Sequence, residues 1–360
     1  MRSVMRSDRS SPKDSKPQRP WKLLLWAALA SLVFGALEVG EPLEDGLRAV
    51  RNMTHQHPAS GNIVFVGIDD ESLKQVGEWP WPRSVQAKLV SQAQRAGVKR
   101  LFLDVIYDGA TEPHEDSALA TAIAKAAPSM PVTLVARERV GTKDGSAVNG
   151  RPMPMLREHA SLASVSLRYN YQAAVWQLPF AGISEGQVYP SFSAAMAQKS
   201  GPSSTQYRVD YSLDPTTVRT FSAVDFLNGK VQDEHLAGKT VIFGADSDEL
   251  GDRYWVPGKG RMAGAMVHTI GAETLQHGNP ADLGWIPALL LAITLGLGSL
   301  LGWQGRRRAL SLAGLVLLFL VLPTPLEAHL IFVDVTPALC FLAILCSRLS
   351  YVRWRDRGLV

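Results

Sequence analysis

The sequence predicts a mixed α/β domain with a mostly parallel sheet, set between apolar segments that predict four transmembrane α-helices. Short apolar runs rich in β-branched residues alternate with segments of helical periodicity, which is typical of β-α-β units. Apolar segments of about the length needed to cross a bilayer lie near both ends of the chain. Basic residues flank these segments, whereas the middle of the chain carries an acidic surplus. We therefore expect a membrane-anchored α/β protein.

Charge is divided unevenly along the chain. The formal net charge is +4, from 37 Lys and Arg against 33 Asp and Glu. Of the basic residues, 14 flank apolar segments with only three acidic residues beside them, so the remainder has 23 basic and 30 acidic residues. This division indicates membrane topology, with the lipid bilayer as a partner, and does not favour a nucleic-acid-binding surface. Both cysteines, Cys340 and Cys346, lie in the last apolar segment, so no disulfide is expected in the middle region.

The basic clusters also predict the topology. The N-terminal tail, Arg306–Arg308 and the C-terminal tail fall on one side of the membrane if the chain crosses four times, and the positive-inside rule makes that side cytosolic. We expect the first span to be uncleaved, because no Ala-x-Ala site is evident. Asp334 must be paired or functional if it lies deep in the last span. The predicted regions are a cytosolic basic tail (1–22), a first span (23–40), a periplasmic domain (41–283), three further spans (285–303, 309–325 and 330–347) and a cytosolic tail (348–360).

The segment Asn62–Arg83 is the richest in local features. Its first part, Ile63–Ile68, is a near-continuous apolar run that predicts a strand buried on both faces. The sequence Trp-Pro-Trp-Pro-Arg (79–83) predicts a stiff, extended turn, because proline fixes φ and restricts the residue before it. Ser84 is then a candidate N-cap. The inward face of the helix that follows is Val85, Leu89, Ala93 and Ala96.

The rest of the domain continues the alternation of strands and helices. A polar, aperiodic stretch at 137–159 predicts an exposed loop. The other predicted elements are an amphipathic helix (41–51), a strand (98–106), a helix capped by Asp116 or Ser117, a strand (131–136), a helix opened by Tyr189–Phe192 and running to about 199, a strand (206–213), a helical turn (223–227), a strand (240–245) and a closing helix (263–277).

These motifs resemble the second type of CHASE domain, an extracytoplasmic sensor module of bacterial cyclases and kinases. The resemblance rests on the strand followed by Ile-Asp-Asp-Glu-Ser-Leu (68–73), on the Trp-Pro-Trp-Pro-Arg step, and on Leu-Ala-Gly-Lys-Thr-Val-Ile-Phe-Gly-Ala-Asp (236–246). Gly251–Tyr254 and His268 also match, and the resemblance covers roughly Glu41 to the C-terminus. The family's Asp-x-Asp-Gly-x-x-Arg element is replaced here by Ser-Leu-Arg-Tyr-Asn-Tyr (166–171). The resemblance implies a bacterial inner-membrane protein with a sensory function, without specifying a ligand.

Carboxylates follow three of the predicted strands. If these strands are parallel neighbours, the carboxylates emerge at one edge of the sheet, where open α/β sheets place their ligand crevice. Clustered carboxylates need a cation or basic partners. A Mg²⁺ or Ca²⁺ site is one possibility, and ion pairs with Arg83 and Arg253, in a purely structural role, are the other. The groups are Asp69, Asp70 and Glu71 after the first strand, Asp104 and Asp108 after the second, and Asp246 and Asp248 after the last.

Aromatic and histidine residues complete the set of candidates. Trp79 and Trp81 would form an apolar wall for a small ligand, or pack over the sheet edge. His268 on the closing helix is a candidate ligand contact, although a histidine in that position is more often a packed helix residue. The candidate ligand-binding residues are Asp69, Asp70, Glu71, Trp79, Trp81, Arg83, Asp104, Asp108, Asp246, Asp252, Arg253 and His268.

The sequence contains no Walker loop, nucleophile elbow, His-Glu-x-x-His or kinase signature, so we do not expect an enzyme. We expect a membrane-anchored sensor that detects a periplasmic signal and relays it through its transmembrane helices, as an oligomer, to a separate cytosolic or membrane signalling partner. The chain continues only about a dozen residues beyond the last apolar segment, which is the basis for expecting a separate partner. One alternative is an accessory or scaffold subunit of a membrane complex, and another is a metal-dependent periplasmic hydrolase.

Overall fold

The computed structural model describes residues 20–107, 109–137, 150–170 and 172–356. The chain forms two compact units. The helical unit comprises the described part of Met1–Gly40 together with Trp285–Leu320 and Val335–Val360. The α/β unit comprises Glu41–Gly284 and the later segment Val321–Asp334.

The helices and strands follow the predicted alternation through the α/β unit. The helices are α1 (Pro20–Ala36), α2 (Glu41–Thr54), α3 (Asp70–Val76), α4 (Arg83–Arg95), α5 (Pro113–Ala126), α6 (Pro154–Arg157), α7 (Phe192–Ala197), α8 (Ala223–Leu227), α9 (Gly264–His277), α10 (Ile286–Gly302), α11 (Gly305–Val321), α12 (Pro323–Glu327) and α13 (Thr336–Asp356). The strands are β1 (Ile63–Ile68), β2 (Arg100–Leu103), β3 (Val132–Ala136), β4 (Ser161–Ser164), β5 (Gln177–Pro179), β6 (Ala181–Ser184), β7 (Gln187–Pro190), β8 (Gln206–Arg208), β9 (Arg219–Ser222), β10 (Thr240–Ala245), β11 (Arg253–Val256), β12 (Gly260–Ala263), β13 (Ala281–Asp282) and β14 (Ile331–Phe332).

A six-stranded parallel sheet forms the centre of the α/β unit, in the order β4-β3-β2-β10-β1-β9. The mixed α/β class with a mostly parallel sheet is therefore confirmed. The central strands β1 and β10 are apolar apart from Thr240 at the start of β10, as is typical of a parallel sheet covered on both faces. Along β1, Val64 and Val66 belong to the core on one face, whereas Ile63 and Phe65 belong to the core on the other.

Several predicted boundaries differ from the structure. Helix α4 begins at Arg83 with Pro82 as its N-cap, so Ser84 is not the cap; instead its backbone N–H and hydroxyl both donate to Glu115. Helix α5 begins at Pro113, and neither Asp116 nor Ser117 caps it. The strand predicted at 206–213 ends at Arg208, where its pairing with β5 stops. The strand at 98–106 is likewise only Arg100–Leu103.

The last predicted span begins with a strand. Residues 331–332 form β14, which pairs with β13, and helix α13 starts only at Thr336. The segment between α11 and α13 belongs to the α/β unit and not to the helical unit. This strand pairing between residues some 50 positions apart leaves no signal in the local sequence.

Among the described helices, Gly305–Glu327, which comprises α11 and α12, is long and apolar enough to cross a membrane. The pair Trp21–Ala36 and Glu41–Thr54, bent by 79°, would be a second candidate if it were one broken span. Ile286–Gly302 and Thr336–Tyr351 are apolar but shorter. The four-span arrangement therefore stays a prediction.

Candidate functional site

Three neighbouring strands of the sheet carry the predicted carboxylates. β2, β10 and β1 are adjacent and parallel, so Asp104, Asp246 and Asp69 emerge at the same edge. This edge is where an open parallel sheet accommodates a ligand. Asp108 lies outside the described residues.

The carboxylates that follow β1 have a local structural role. Asp69 is the N-cap of α3 and accepts hydrogen bonds from the Ser72 backbone N–H at 2.9 Å and from the Ser222 hydroxyl at 2.8 Å. Burial alone would raise the pKa of Asp69, but these hydrogen bonds outweigh it and hold the pKa below its usual range. Asp70 and Glu71 are exposed in the first turn of α3, where negative charge is favourable.

The carboxylate after β10 is partly balanced by a cation. Arg253 Nε lies 2.8 Å from Asp248, and its Nη2 lies 3.7 Å from Asp246. Burial raises the pKa of Asp246, the Arg253 charge opposes the shift, and Asp69 adds to it. The predicted ion pairing with Arg253 is thus present in the structure.

Arg83 does not join this cluster. Its guanidinium is buried and pairs with Asp116, and it also donates to the Gly109 carbonyl. Asp116 accepts in addition from Thr111, through the backbone N–H at 3.0 Å and the hydroxyl at 2.5 Å. The expected pairing of Arg83 with the strand-end carboxylates is therefore wrong, because α4 directs the side chain toward the start of α5.

Within the described residues, the strand-end carboxylates do not form a group of three whose ligand atoms lie close enough to share one metal ion. Each has instead a cap, an ion pair or a separate environment. The Mg²⁺ or Ca²⁺ site stays a prediction.

A cavity of about 340 Å³ opens at the carboxyl ends of the central strands. Trp79, Asp104, Asp252 and His268 line it, and these four are predicted candidates. Trp81 does not line the cavity. It is buried, donates from its indole N–H to the Gly77 carbonyl, and packs edge-on against Trp79 with ring centroids 5.5 Å apart. The other lining residues, which the sequence did not single out for this site, are Ile68, Pro80, Val105, Ile106, Val165, Leu167, Ala245, Leu250, Tyr254 and Gly264.

Two carboxyl groups dominate the electrostatics of this cavity. Burial raises the pKa of Asp104 to about 8, and the neighbouring Asp252 adds to the shift. Asp104 is thus mostly protonated at neutral pH, which leaves a hydrogen-bond donor and an acceptor at the cavity wall. None of the lining residues that the structure describes is Lys or Arg. The cavity is therefore suited to a ligand that supplies its own positive charge or its own hydrogen-bond donors.

The remaining polar groups in the cavity are neutral. His268 is fully buried, which lowers its pKa to about 4, and its Nδ1 lies 3.2 Å from the Ser193 hydroxyl. The pKa of Tyr254 is raised by burial and by the adjacent Asp252. Gly264 is required beside them, because a Cβ there would lie 2.7 Å from Asp252 Oδ2 and 2.8 Å from the Tyr254 ring. The arrangement offers neutral hydrogen-bonding groups around an apolar space.

A second feature of the α/β unit is a network of buried ion pairs. Arg51 donates to Glu327 at 2.8 Å and to Glu44 at 2.9 Å, and all three side chains are at most 5% exposed. Arg48, which is 1% exposed, donates to Asp334 at 2.6 Å and lies 3.5 Å from Glu327.

The network also includes Arg208 and Asp282. Arg208 lies 2.8 Å from Asp282 and 3.8 Å from Asp334. The guanidinium of Arg48 also lies over the ring of Trp176 at 5.3 Å. Asp334 lies before the start of α13, in the α/β unit, where it pairs with Arg48, so the prediction about a position deep in the last span is not tested. We call this set, Glu44, Arg48, Arg51, Arg208, Asp282, Glu327 and Asp334, the ion-pair network.

The ion-pair network was hard to predict from the sequence because its members are up to 290 residues apart. The signals present were the charged face of the amphipathic α2 and two isolated acids, Glu327 and Asp334, within apolar sequence. A charge inside an apolar segment needs a partner, but no local pattern identifies which one.

A family model described as the CHASE2 domain matches residues 23–303, which is most of the chain. No curated protein and no solved structure shows a significant match.

Proposed function

The chain belongs to the CHASE2 domain family, and we propose that it is a membrane-anchored sensor that binds a small periplasmic ligand in the strand-end cavity and relays binding to a signalling partner. Family membership points to an extracellular sensory domain. The observation that carries the ligand part of the proposal is the cavity itself, with Asp104 and Asp252 among apolar and aromatic walls.

The ligand class follows from the charges around the cavity. A protonated amine with a small apolar body would pair with Asp104 and Asp252 and contact Trp79 through its apolar part. Because the pKa of Asp104 is about 8, a cationic ligand would displace the Asp104 proton on binding at neutral pH. A neutral ligand with hydrogen-bond donors would leave this proton in place. The pH dependence of binding therefore distinguishes the two.

A relay is supported by the position of the ion-pair network along the chain. The chain passes between the α/β unit and the helical unit at four places, after Gly40, Gly284, Leu320 and Asp334. Glu44, Asp282 and Asp334 lie within four residues of three of these places, and Glu327 lies seven residues after the remaining one. If the network has a second arrangement, a ligand that binds the protein with different affinity in the two would shift the population between them.

The proposed topology has four spans, both termini in the cytosol and the α/β unit in the periplasm. It is supported by the basic clusters and by the apolar helices α1, α10, α11 and α13. Labelling of Lys230→Cys and Arg307→Cys in a chain whose two native cysteines are replaced by Ala tests it. A membrane-impermeant maleimide should label the first variant in intact spheroplasts and the second only after permeabilisation. Labelling of Arg307→Cys in intact spheroplasts would overturn this topology.

Ligand binding is tested on the full-length chain in mild detergent with a panel of small amines and matched neutral alcohols, using thermal unfolding. We expect at least one amine to raise the unfolding temperature of the wild type and of Asp70→Asn, which keeps the cavity intact. The same amine should have no effect on Asp104→Asn. An equal shift in all three proteins would show that the amine binds elsewhere.

The partner is tested by purifying the full-length chain in mild detergent and identifying what co-purifies by mass spectrometry. A kinase, cyclase or response regulator would support the sensor. A stoichiometric structural or secretion complex, recovered without ligand, would instead favour the accessory-subunit alternative. A downstream response unchanged by deletion of Glu41–Leu283 would contradict the relay.

A further inference from the structure

Two histidines and an aspartate of the α/β unit lie close together at a place separate from the strand-end cavity. His57 lies three residues after the end of α2, Asp210 two residues after β8, and His277 is the last residue of α9. One ligand atom from each of the three lies within 4.8 Å of the others. The His57 and His277 rings meet edge-on with centroids 5.2 Å apart. Three distant segments of the chain therefore bring two imidazole nitrogens and one carboxylate oxygen within 4.8 Å of one another.

The outer hydrogen bonds orient two of these groups as they would orient metal ligands. His57 Nδ1 lies 3.0 Å from the Pro58 carbonyl oxygen, which leaves Nε2 facing Asp210 Oδ2 at 3.0 Å. The other oxygen of Asp210 accepts from the Ser212 backbone N–H at 2.9 Å and from its hydroxyl at 2.5 Å. Metal-bound histidines commonly donate their second ring N–H to a backbone carbonyl, and metal-bound carboxylates are held by similar outer contacts.

A His–Asp ion pair without metal is the simpler interpretation of part of this arrangement. It accounts for the pKa of His57, which its hydrogen bond to Asp210 raises above the ordinary value. It does not account for the side chain of His277, which is exposed and makes neither a hydrogen bond nor an ion pair with another described residue. His277 packs only its ring against His57. If His277 is a third metal ligand, its position beside His57 has a chemical role.

Access and local charge also suit a cation. A cavity of about 260 Å³, lined in part by His57, Glu273 and His277, adjoins the group and provides room for water ligands. Glu273 accepts from the Ser60 backbone N–H at 2.8 Å and from its hydroxyl at 3.0 Å. The carboxylates of Asp210 and Glu273 thus supply negative charge on two sides.

We propose that His57, Asp210 and His277 form a site for a divalent transition metal such as Zn²⁺, with water at the open position. Two imidazoles and one carboxylate are a donor set that Zn²⁺, Ni²⁺ and Cu²⁺ bind in preference to Mg²⁺ or Ca²⁺. His57 Nε2 and Asp210 Oδ2 are already about as far apart as two ligands of one tetrahedral ion with bonds of about 2 Å. The exposed side chain of His277 completes the site by a rotation of its ring. A metal binds the neutral imidazole and the ionised carboxylate, so affinity falls with acidity.

The bound metal would cross-link the segment after α2 to the end of α9. These two segments lead to the first and second apolar helices of the chain, so the metal would fix the distance between the entry and exit of the α/β unit. The metal site does not depend on the ligand cavity or on the relay.

The test uses Co²⁺ as a spectroscopic probe and Zn²⁺ as a competitor, on the full-length chain purified in detergent without a polyhistidine tag. We expect one equivalent of Co²⁺ to give the visible absorption of a four- or five-coordinate ion, and one equivalent of Zn²⁺ to abolish it. His277→Ala should lose this absorption, and its exposed position means that the fold is retained. Ser212→Ala should weaken binding about 10-fold or more, as expected for the loss of an outer hydrogen bond.

His114→Ala is the matched control, because His114 is exposed on another helix beside Glu115. It should bind Co²⁺ as the wild type does. Equal binding by the wild type and His277→Ala would overturn the proposal, as would an octahedral Co²⁺ spectrum that Zn²⁺ does not change. In those cases His57 and Asp210 form an ion pair only.

Discussion

The replacement of Glu327 by Gln tests whether the ion-pair network holds the α/β unit together. Glu327 is 1% exposed and is close to both Arg48 and Arg51. Gln keeps the shape of the side chain but removes its charge. Removal of one partner from a buried pair typically costs about 3–5 kcal/mol, because the other charge stays buried. Here Arg51 retains Glu44 and Arg48 retains Asp334, so we expect the lower end, about 3 kcal/mol.

The measurement is urea unfolding of the full-length chain in mild detergent, followed by tryptophan fluorescence. Trp176, whose ring lies 5.3 Å from the Arg48 guanidinium, is a local reporter. With a urea dependence of about 3 kcal/mol/M, the loss would lower the unfolding midpoint by about 1 M. The control is Asp225→Asn, which breaks the exposed pair between Asp225 and Lys230 and should cost less than about 1 kcal/mol.

A double-mutant cycle then separates the pair from its surroundings. Arg51→Gln combined with Glu327→Gln should be less destabilising than the sum of the two single changes, because no unpaired charge remains between them. The reasoning would be refuted if Glu327→Gln cost no more than Asp225→Asn. It would also be refuted by strict additivity of the two changes, since the pair would then contribute no coupling.

The remaining predictions concern the strand-end cavity and the expectation that the protein is not an enzyme. The folded state keeps a proton on Asp104 up to a pKa of about 8, whereas the unfolded chain releases it near pH 4; wild-type stability should therefore fall as pH rises between these values. The free energy of unfolding of Asp104→Asn, relative to that of wild type, should increase by at least about 1.4 kcal/mol from pH 4.5 to pH 8, the equivalent of one pKa unit. If urea unfolding gives the same difference between the two proteins at both pH values, the assigned pKa is wrong. Gly264→Ala should destabilise the protein by about 1–3 kcal/mol through overpacking, because the added Cβ would contact Asp252 and Tyr254. The same contacts should abolish amine binding. The matched control Gly46→Ala, on an open face of α2, should be neutral or slightly stabilising. Phosphoester and peptide substrates incubated with Mg²⁺ should show no turnover above that of Asp69→Asn, and a chelator-sensitive activity lost in that variant would instead support the hydrolase alternative.

Local sequence was sufficient for most of the sheet. β1 and β10 occupy the predicted residues, and β3, α8 and α9 differ from the prediction by at most one residue at either end. The strands β1, β3 and β10 were predictable because each is a short, mainly apolar run with a proline or an acidic residue at one end. The meeting of Asp69, Asp104 and Asp246 at one edge was also predictable, since parallel neighbours present their carboxyl ends together.

The residues that line the strand-end cavity were only partly predictable from the sequence. Trp79, Asp104, Asp252 and His268 line it, but Asp69, Asp246 and Arg253 are engaged in a cap and ion pairs beside it. Arg83 is directed elsewhere, to Asp116. A motif places these residues near the end of a strand, but only packing decides which side chain faces the cavity.

The sequence by itself determined the fold class, the family and the strand-end edge, because these depend on residues close together in the chain and on their periodicity. Tertiary structure alone decided the ion-pair network, the pairing of β13 with β14 and the meeting of His57 with Asp210 and His277. Each of these joins segments separated by tens to hundreds of residues. Charge complementarity and hydrogen-bond geometry select such partners in three dimensions, and neither quantity is encoded in the spacing of residues along one chain.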